Sequence, residues 1–382
     1  MKIVQVSPYY SPHHGGVESF VRDISEEMTK RGNEVTVLTS QFDRTLPAEE
    51  NFHNMRVVRV PLRGTFFRTP FPRRLARYLE GDFDIIHSHT PPPSFAYTTS
   101  SRRYDGKGVR VVTYHCDSDI PSRILSPFIR MVDRRMSGRI IRGADCVIVT
   151  TETYASTSLN TWNITPEIVP VSANTRRFFP DPEDRIRTRR RLSIDRYKVV
   201  LFVGRLVRHK GVQYLAGAMR FLPEDYRLLV VGDGEYAASI KRYIRIHSLD
   251  SKVKMLGDIP DSVLPSVYRA SDVLVVPSTS RLEAFGISAI EAMASGTPVV
   301  VSDIPGVREI ISDGIQGLRA EPMNPKDIAL KIREITSDRA GRDEMGRRGI
   351  ARSREFSSSS ITDRLLAIYR GLLASNNGQL DP

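Results

Sequence analysis

The chain has 382 residues, 40% of them hydrophobic and 26% charged, enough to bury a large core and to form two or three domains of ordinary size. That composition excludes disorder as the dominant state. A total of 56 Lys and Arg against 44 Asp and Glu leaves a net charge of +12, which favours anionic partners such as phosphates, nucleic acid or acidic lipid headgroups without choosing among them.

Lys2 to Val6 reads as a short apolar strand, and Pro8 to Gly16 as a loop rich in turn residues. Val17, Phe20, Val21, Ile24 and Met28 then recur at helical spacing until Arg31 and Gly32 supply a basic last turn and a terminating glycine. Glu34 to Thr39 is the next strand, which completes the βαβ unit of a parallel sheet. The pattern continues through Val57–Val60, Ile85–His87, Val109–Thr113, Cys146–Thr150 and Glu167–Val171. A second series runs through Val199–Val203, Leu228–Val231, Val253–Leu256, Val273–Val276 and Val299–Val301. These Val- and Ile-rich runs, closed by Gly, Pro or Ser, predict strands buried on both faces. The expected fold class is therefore α/β, with two doubly wound domains at 1–172 and 173–355 joined near Ser172 to Pro182. Residues 356–382 are expected to add a helix, with apolar spacing at Ile361, Leu365, Leu366, Ile368 and Tyr369, that packs back on the body and ends in a polar, frayed tail.

Cys116 and Cys146 form neither a disulfide framework nor a metal site with ligand spacing, which fits a reducing compartment. The opening apolar run meets Ser7 and Pro8 too soon for a signal peptide, and no run approaches the roughly 18 apolar residues of a membrane span. A soluble cytoplasmic protein is expected, or one resting on the cytoplasmic face of a membrane.

Open parallel sheets take ligands at the carboxyl ends of their strands, so two such domains facing each other would create a central cleft. Three segments at strand ends suit phosphate and sugar chemistry. Gly15 and Gly16, in Pro12-His13-His14-Gly15-Gly16-Val17-Glu18, precede a helix and would let backbone N–H groups approach an anion, although a tight turn into a helix needs the same pair. Arg205 and Lys210, in Gly204-Arg205-Leu206-Val207-Arg208-His209-Lys210-Gly211, can grip a diphosphate, the first as a planar fork and the second as a point charge. A solvated basic loop is the alternative. After the strand ending at Val276, Glu283, Phe285, Gly286 and Ile287 lead into an apolar helix that carries Glu291. A carboxylate there needs a partner, either a sugar's vicinal hydroxyls or a structural cation.

Gly15-Gly16-Val17-Glu18, His87-Ser88-His89, Gly204-Arg205 with Lys210-Gly211, Glu283 and Glu291 seven residues apart, and Gly296-Thr297-Pro298-Val299-Val300 occur in this order over nearly the whole chain. In this the sequence resembles the family 4 retaining glycosyltransferases of the sucrose-synthase-like group. The resemblance extends to Asp303 to Ile311, but Asn174 lacks the usual following glycine and the 302–306 segment has one glycine where many members have two. It implies a GT-B architecture, with a nucleotide-sugar held mainly by the second domain and the acceptor mainly by the first. It also implies that Arg205 and Lys210 bind the diphosphate and Glu291 the ribose, that Glu283 lies near the transferred sugar, and that Gly16 approaches the donor phosphate. His115, in Val112-Thr113-Tyr114-His115, matches the histidine near sugar and acceptor, where it would stabilise charge or hold a hydroxyl. The catalytic expectation is thus His115, Arg205, Lys210 and Glu283, with no metal and no cofactor, since the nucleotide-sugar is a substrate. Loss of either cation is expected to depress turnover with little unfolding.

Residues 51–142 hold 17 Arg or Lys against seven acids. Within them, Arg63 to Arg74 mixes arginines with Phe66, Phe67 and Phe71 in an expected loop. Ile124, Phe128, Val132, Met136 and Ile140 step along a helix that also carries Arg123, Arg130, Arg134, Arg135, Arg139 and Arg142. An anionic membrane surface and a lipid-linked acceptor are the expected partners, although an ordinary packed helix with a basic face has the same pattern. Nucleic acid is not expected, because none of its recognition motifs is present. The activity expected is sugar transfer from a UDP- or GDP-sugar in glycan or glycolipid synthesis. The alternatives are a non-hydrolysing nucleotide-sugar epimerase and a non-catalytic sugar-nucleotide-binding protein.

Overall fold

The computed structural model describes residues 1–13, 15–66, 69–100, 108–117, 126–158 and 164–377. The chain divides into two compact units, Met1–Ser172 with Ser358–Pro382, and Ala173–Ser357.

The first unit runs β1 (Lys2–Val6), α1 (Gly16–Lys30), β2 (Glu34–Ser40), β3 (Glu49–Phe52), β4 (Met55–Val60), β5 (Leu62–Phe66), β6 (Thr69–Pro72), β7 (Ile85–Thr90), α2 (Ser94–Thr99), β8 (Val109–Tyr114), α3 (Ser126–Arg142), β9 (Cys146–Val149), α4 (Glu152–Thr157) and β10 (Glu167–Ile168). Eight strands form one sheet in the order β10-β9-β8-β7-β1-β2-β4-β3. All pairs are parallel except β3 with β4. The strand order reverses between β1 and β7, the switch point at which open α/β sheets receive ligands. All six residues of β7 are buried, as a central parallel strand covered on both faces requires.

The C-terminal helix, Ser358–Asn377, belongs to this unit. Arg31, just past α1, donates to Asp363 Oδ1 at 2.8 Å and to Ser359 Oγ at 2.7 Å. Tyr369 is fully buried against His87. Of the expected tail, residues 378–382 lie outside the described residues.

The loop expected over Arg63 to Arg74 is instead an antiparallel hairpin of β5 and β6. Its sequence lacks the alternation that marks a half-buried strand, and β6 carries two prolines, which only a ribbon with free edges accommodates. Phe67 and Arg68 of that segment are outside the described residues.

The second unit runs α5 (Pro182–Leu192), β11 (Lys198–Val203), α6 (Val212–Ala218), β12 (Tyr226–Val231), α7 (Ala237–Ile246), β13 (Val253–Gly257), α8 (Leu264–Ala270), β14 (Val273–Val276), α9 (Ile287–Ala294), β15 (Val299–Ser302), β16 (Gly317–Ala320), α10 (Pro325–Ser337) and α11 (Arg339–Ser353). Its six strands are all parallel, in the order β13-β12-β11-β14-β15-β16. Here the switch point lies between β11 and β14. Val200, Phe202, Leu228, Val230, Val273 and Val275 project from the central strands into one core with Leu215, Ile328 and Ile332. Among the described residues, no helix is long and apolar enough to cross a membrane.

Candidate functional site

The segments that follow β11 and β14 meet at the second unit's switch point. After Val203 the chain turns at Gly204, and Arg205 emerges exposed. Among the described residues no acid pairs with Arg205. A short 3-10 turn, Arg208–Lys210, then closes on Gly211 at φ +72°. A Cβ on Gly211 would fall 1.8 Å from the Pro277 carbonyl oxygen, so no other residue fits. This close approach docks the two segments, and Thr279 completes the docking by donating its backbone N–H to the His209 carbonyl at 2.8 Å and its hydroxyl to the same oxygen at 3.2 Å.

Docking brings Lys210 onto Glu283. The Lys210 ammonium donates directly to Glu283 Oε2, and Ser278 Oγ donates to the same oxygen at 3.4 Å. Lys210 Nζ also lies 3.9 Å from where a Cβ on Gly204 would sit, next to Arg205 in the chain. Glu283 is 8% exposed. Burial by itself would push its carboxyl up, but the Lys210 ammonium, the nearby His209 and the Ser278 hydroxyl together hold it below the ordinary carboxylate range. It is therefore ionised at neutral pH.

Phe285 is buried, with its ring edge-on to Phe356 at 5.6 Å. Gly286, at φ +84°, is the residue from which α9 starts, and Ile287 is its half-buried first residue. Glu291 is half-buried one turn on, and its Oε2 accepts from the Tyr268 hydroxyl at 2.6 Å. Tyr268 comes from α8 and is fully buried. Burial and then the Glu291 carboxylate push its hydroxyl pKa well up, so it remains a donor. The partner that so apolar a helix demanded for Glu291 thus includes a tyrosine of its own unit.

A further strand end escaped the sequence reading. Gly232-Asp233-Gly234 follows β12, and a Cβ on Gly232 would lie 2.1 Å from the Gly204 carbonyl oxygen. The backbone at Arg205 is therefore braced from the side, with Leu206 N–H donating to the Asp233 carbonyl at 2.8 Å. A strand followed by Gly-x-Gly was the available signal.

In the first unit, Gly15 caps α1 in extended conformation and Gly16 is exposed at its first position. The Glu18 carboxylate folds back toward them, so that a Cβ on Gly15 would meet Glu18 Oε2 at 2.2 Å. Glu18 also pairs with His13 Nδ1 at 3.0 Å. The N–H groups expected to face an anion therefore already have a carboxylate nearby. His14 lies outside the described residues.

His115 follows β8 and is 5% exposed. Its Nε2 lies 3.0 Å from His89 Nδ1, and His89 Nε2 lies 2.9 Å from Gln5 Oε1. His87 joins Tyr369 Oη at 2.6 Å and Thr113 Oγ1 at 2.7 Å. Burial pushes His115 down to about 3. Burial and then the His115 ring push His87 down to about 3 as well, and burial with its two histidine neighbours takes His89 well below the ordinary value. Of the two roles that the sequence left open for His115, burial disfavours the one that needs a cationic ring. Holding a hydroxyl is open to a neutral ring.

The hairpin exposes Phe66 and Phe71 beside the exposed Arg63, Arg73 and Arg74. In α3, Ile140 is buried, Met136 is half-buried, and Met131 and Val132 are exposed beside Arg134, Arg135, Arg139 and Arg142. The expected apolar stripe is therefore core at one end and surface at the other. Arg123 and Ile124, and the side chains of Phe128 and Arg130, lie outside the described residues.

Two sequence profiles match consecutive stretches, Glycosyltransferase Family 4 over residues 14–177 and Glycosyl transferases group 1 over 184–352. The chain belongs to the family 4 glycosyltransferases. It is 27% identical to a D-inositol 3-phosphate glycosyltransferase of Streptosporangium roseum, covering 94% of this chain and 89% of the relative. Its fold is similar to that of a sucrose-phosphate synthase from Thermosynechococcus elongatus, at TM-score 0.81 and 24% identity, with 98% of this chain and all (100%) of the other covered. It is also similar in fold to HepE of Anabaena in complex with UDP, at TM-score 0.81 and 20% identity, with 97% and 100% covered. This glycosyltransferase therefore has the GT-B type of α/β fold.

Proposed function

We propose that this glycosyltransferase moves a sugar, with retention at the anomeric carbon and without a metal, from a UDP- or GDP-sugar to a lipid-linked acceptor. The observation that carries the donor half is the exposed Arg205, without an acid partner among the described residues, at the β11 end beside the Lys210–Glu283 pair. HepE, similar in fold, is a structure in complex with UDP.

When the anomeric C–O bond breaks, its electron pair moves onto the departing phosphate. Arg205 and Lys210 would take up that growing charge as a divalent cation does elsewhere, which is an interaction stronger in the transition state than in the ground state. The acceptor hydroxyl would attack from the same face and pass its proton to the leaving phosphate oxygen. Glu283, ionised and held by Lys210, would orient donor hydroxyls rather than attack carbon. Glu291 would bind the ribose, with the Tyr268 hydroxyl keeping its carboxylate in place.

The acceptor half rests on the basic first unit, where exposed aromatic and arginine side chains of β5–β6 and α3 suit a membrane interface. A second reading is favoured by the relative named for D-inositol 3-phosphate: the same charge suits a small phosphorylated polyol. Incubation with a panel of UDP- and GDP-sugars in the presence of chelator, with thermal stabilisation and nucleoside diphosphate release as readouts, tests the donor half. No stabilisation by any member overturns it. Partition of radiolabelled product between organic and aqueous phases decides the acceptor, and pelleting with anionic liposomes no better than a neutral control protein removes the membrane surface.

A further inference from the structure

Gln5 in β1, His87 and His89 in β7, Thr113 in β8, His115 just after it, and Tyr369 in the C-terminal helix form a buried polar cluster, in which Gln5, His89 and His115 make one hydrogen-bonded chain and Tyr369, His87 and Thr113 another. Register places Gln5 opposite His87, and His89 opposite Thr113. Only some proton positions are compatible with such a network, and they can be counted from one end.

The Gln5 amide fixes the count. Its Nε2 lies 3.4 Å from Met28 Sδ, an atom that accepts weakly and never donates. The opposite amide orientation would set a carbonyl oxygen against that sulfur, acceptor facing acceptor. Gln5 Oε1 therefore points at His89, and because a carbonyl only accepts, His89 Nε2 carries the hydrogen and donates at 2.9 Å. A neutral imidazole with hydrogen on Nε2 is bare at Nδ1. His89 Nδ1 thus accepts from His115 Nε2–H across 3.0 Å. Neutral His115 is in turn bare at Nδ1, which has no hydrogen-bond partner among the described residues.

We infer that Gln5 and His89 are positioning residues that lock His115 in its Nε2–H tautomer, so that His115 offers substrate a hydrogen-bond acceptor at Nδ1 and no proton. The ligand chemistry that fits is a hydroxyl donor such as a carbohydrate OH, and a phosphate or leaving-group oxygen in search of a proton does not fit. The burial that keeps all three rings uncharged supports this, since a cationic ring would present both N–H groups. The role of His115 toward sugar rests on the function proposed above, but the tautomer does not.

The test is long-range 1H–15N correlation of the eight histidines in the full-length protein, with His115 assigned by its loss in His115→Gln. The expected result is Nε2 in the protonated region and Nδ1 in the bare region for both His115 and His89 at pH 7. Gln5→Met removes the acceptor and should move His89 and His115 to mixed tautomers together. A wild-type His115 protonated on Nδ1, or on both nitrogens, overturns the inference, as does a folded Gln5→Met variant whose His115 pattern is unmoved. If Gln5→Met does not fold, the wild-type pattern still decides. Intact tautomers in a protein that binds no UDP- or GDP-sugar would sink the donor reading alone.

Discussion

Replacing Lys210 by methionine tests the pair at the centre of the second unit. Wild-type Glu283 is held below its ordinary value of 4.5, because its neighbours outweigh burial. Its ionisation therefore contributes stability that is fully present above about pH 4.5 and is lost as pH falls through the lower folded value. In Lys210→Met burial is opposed only by His209 and Ser278, and the folded value should rise above 4.5. The contribution then changes form: it is fully present below about pH 4.5 and is lost as pH rises through the raised value. Removing one partner of a fully buried pair costs about 3–5 kcal/mol. The Lys210 side chain is 23% exposed, so solvent relieves part of this, and about 2–3 kcal/mol at pH 7 is the expected loss. For a unit the size of Ala173–Ser357 this lowers Tm by about 4–12 °C.

Scanning calorimetry of wild type and variant from pH 4.5 to 7.5 should show a Tm gap that widens as pH rises. Adding Glu283→Gln should recover more than half of it, because an amide can still accept from Ser278 and carries no charge. A gap independent of pH, or a double variant no more stable than the single one, would refute the reasoning. The expectation from sequence alone, that losing Lys210 leaves folding almost untouched, treated the lysine as a free ligand. The structure replaces that with a lysine that also neutralises a buried acid.

Arg205→Ala should lower kcat on the order of 100- to 1,000-fold, the scale for deleting one donor to a developing oxyanion, with Tm within about 1 °C of wild type; steady-state kinetics beside calorimetry check both. Gly211→Ala sets a Cβ 1.8 Å from the Pro277 carbonyl and should cost more than about 3 kcal/mol, read as a large drop in urea midpoint or in soluble yield. Tyr268→Phe leaves Glu291 without its 2.6 Å donor and should cost about 1.5–3 kcal/mol, with a rise in KM for the nucleotide-sugar; unchanged KM would separate Glu291 from donor binding.

Much of the frame could be read from residues alone, because parallel strands covered on both faces must be runs of Val and Ile closed by Gly, Pro or Ser, as at Val199–Val203 and Val273–Val276. The segments bearing chemistry followed from the same reading, since each begins where such a run stops. Edge elements did not. Gly317–Ala320 reads Gly-Leu-Arg-Ala, a pattern no strand period marks, and pairs only because β15 lies beside it. Partners were equally hidden. Lys210 and Glu283 are 73 residues apart and meet because β11 and β14 are neighbours. The proton positions on His115 depend on β1, β7 and β8 lying side by side, which no local pattern encodes.

On the proposed function, these hidden partners change which residue should draw the donor in. Lys210 already has a carboxylate against its ammonium, and the buried Glu283 needs that ammonium to stay ionised, so the pair presents little net charge at a distance. Arg205, two residues past the end of β11 and without an acid among the described residues, has no such cancellation. Long-range attraction for a diphosphate should therefore come chiefly from Arg205, with Lys210 becoming available at contact as the phosphate and Glu283 share its hydrogens. Donor affinity should then lose most of its salt dependence in Arg205→Ala and keep it in the Lys210→Met, Glu283→Gln double variant. Equal salt slopes in the two would mean that the lysine meets the donor as a bare cation, parted from Glu283.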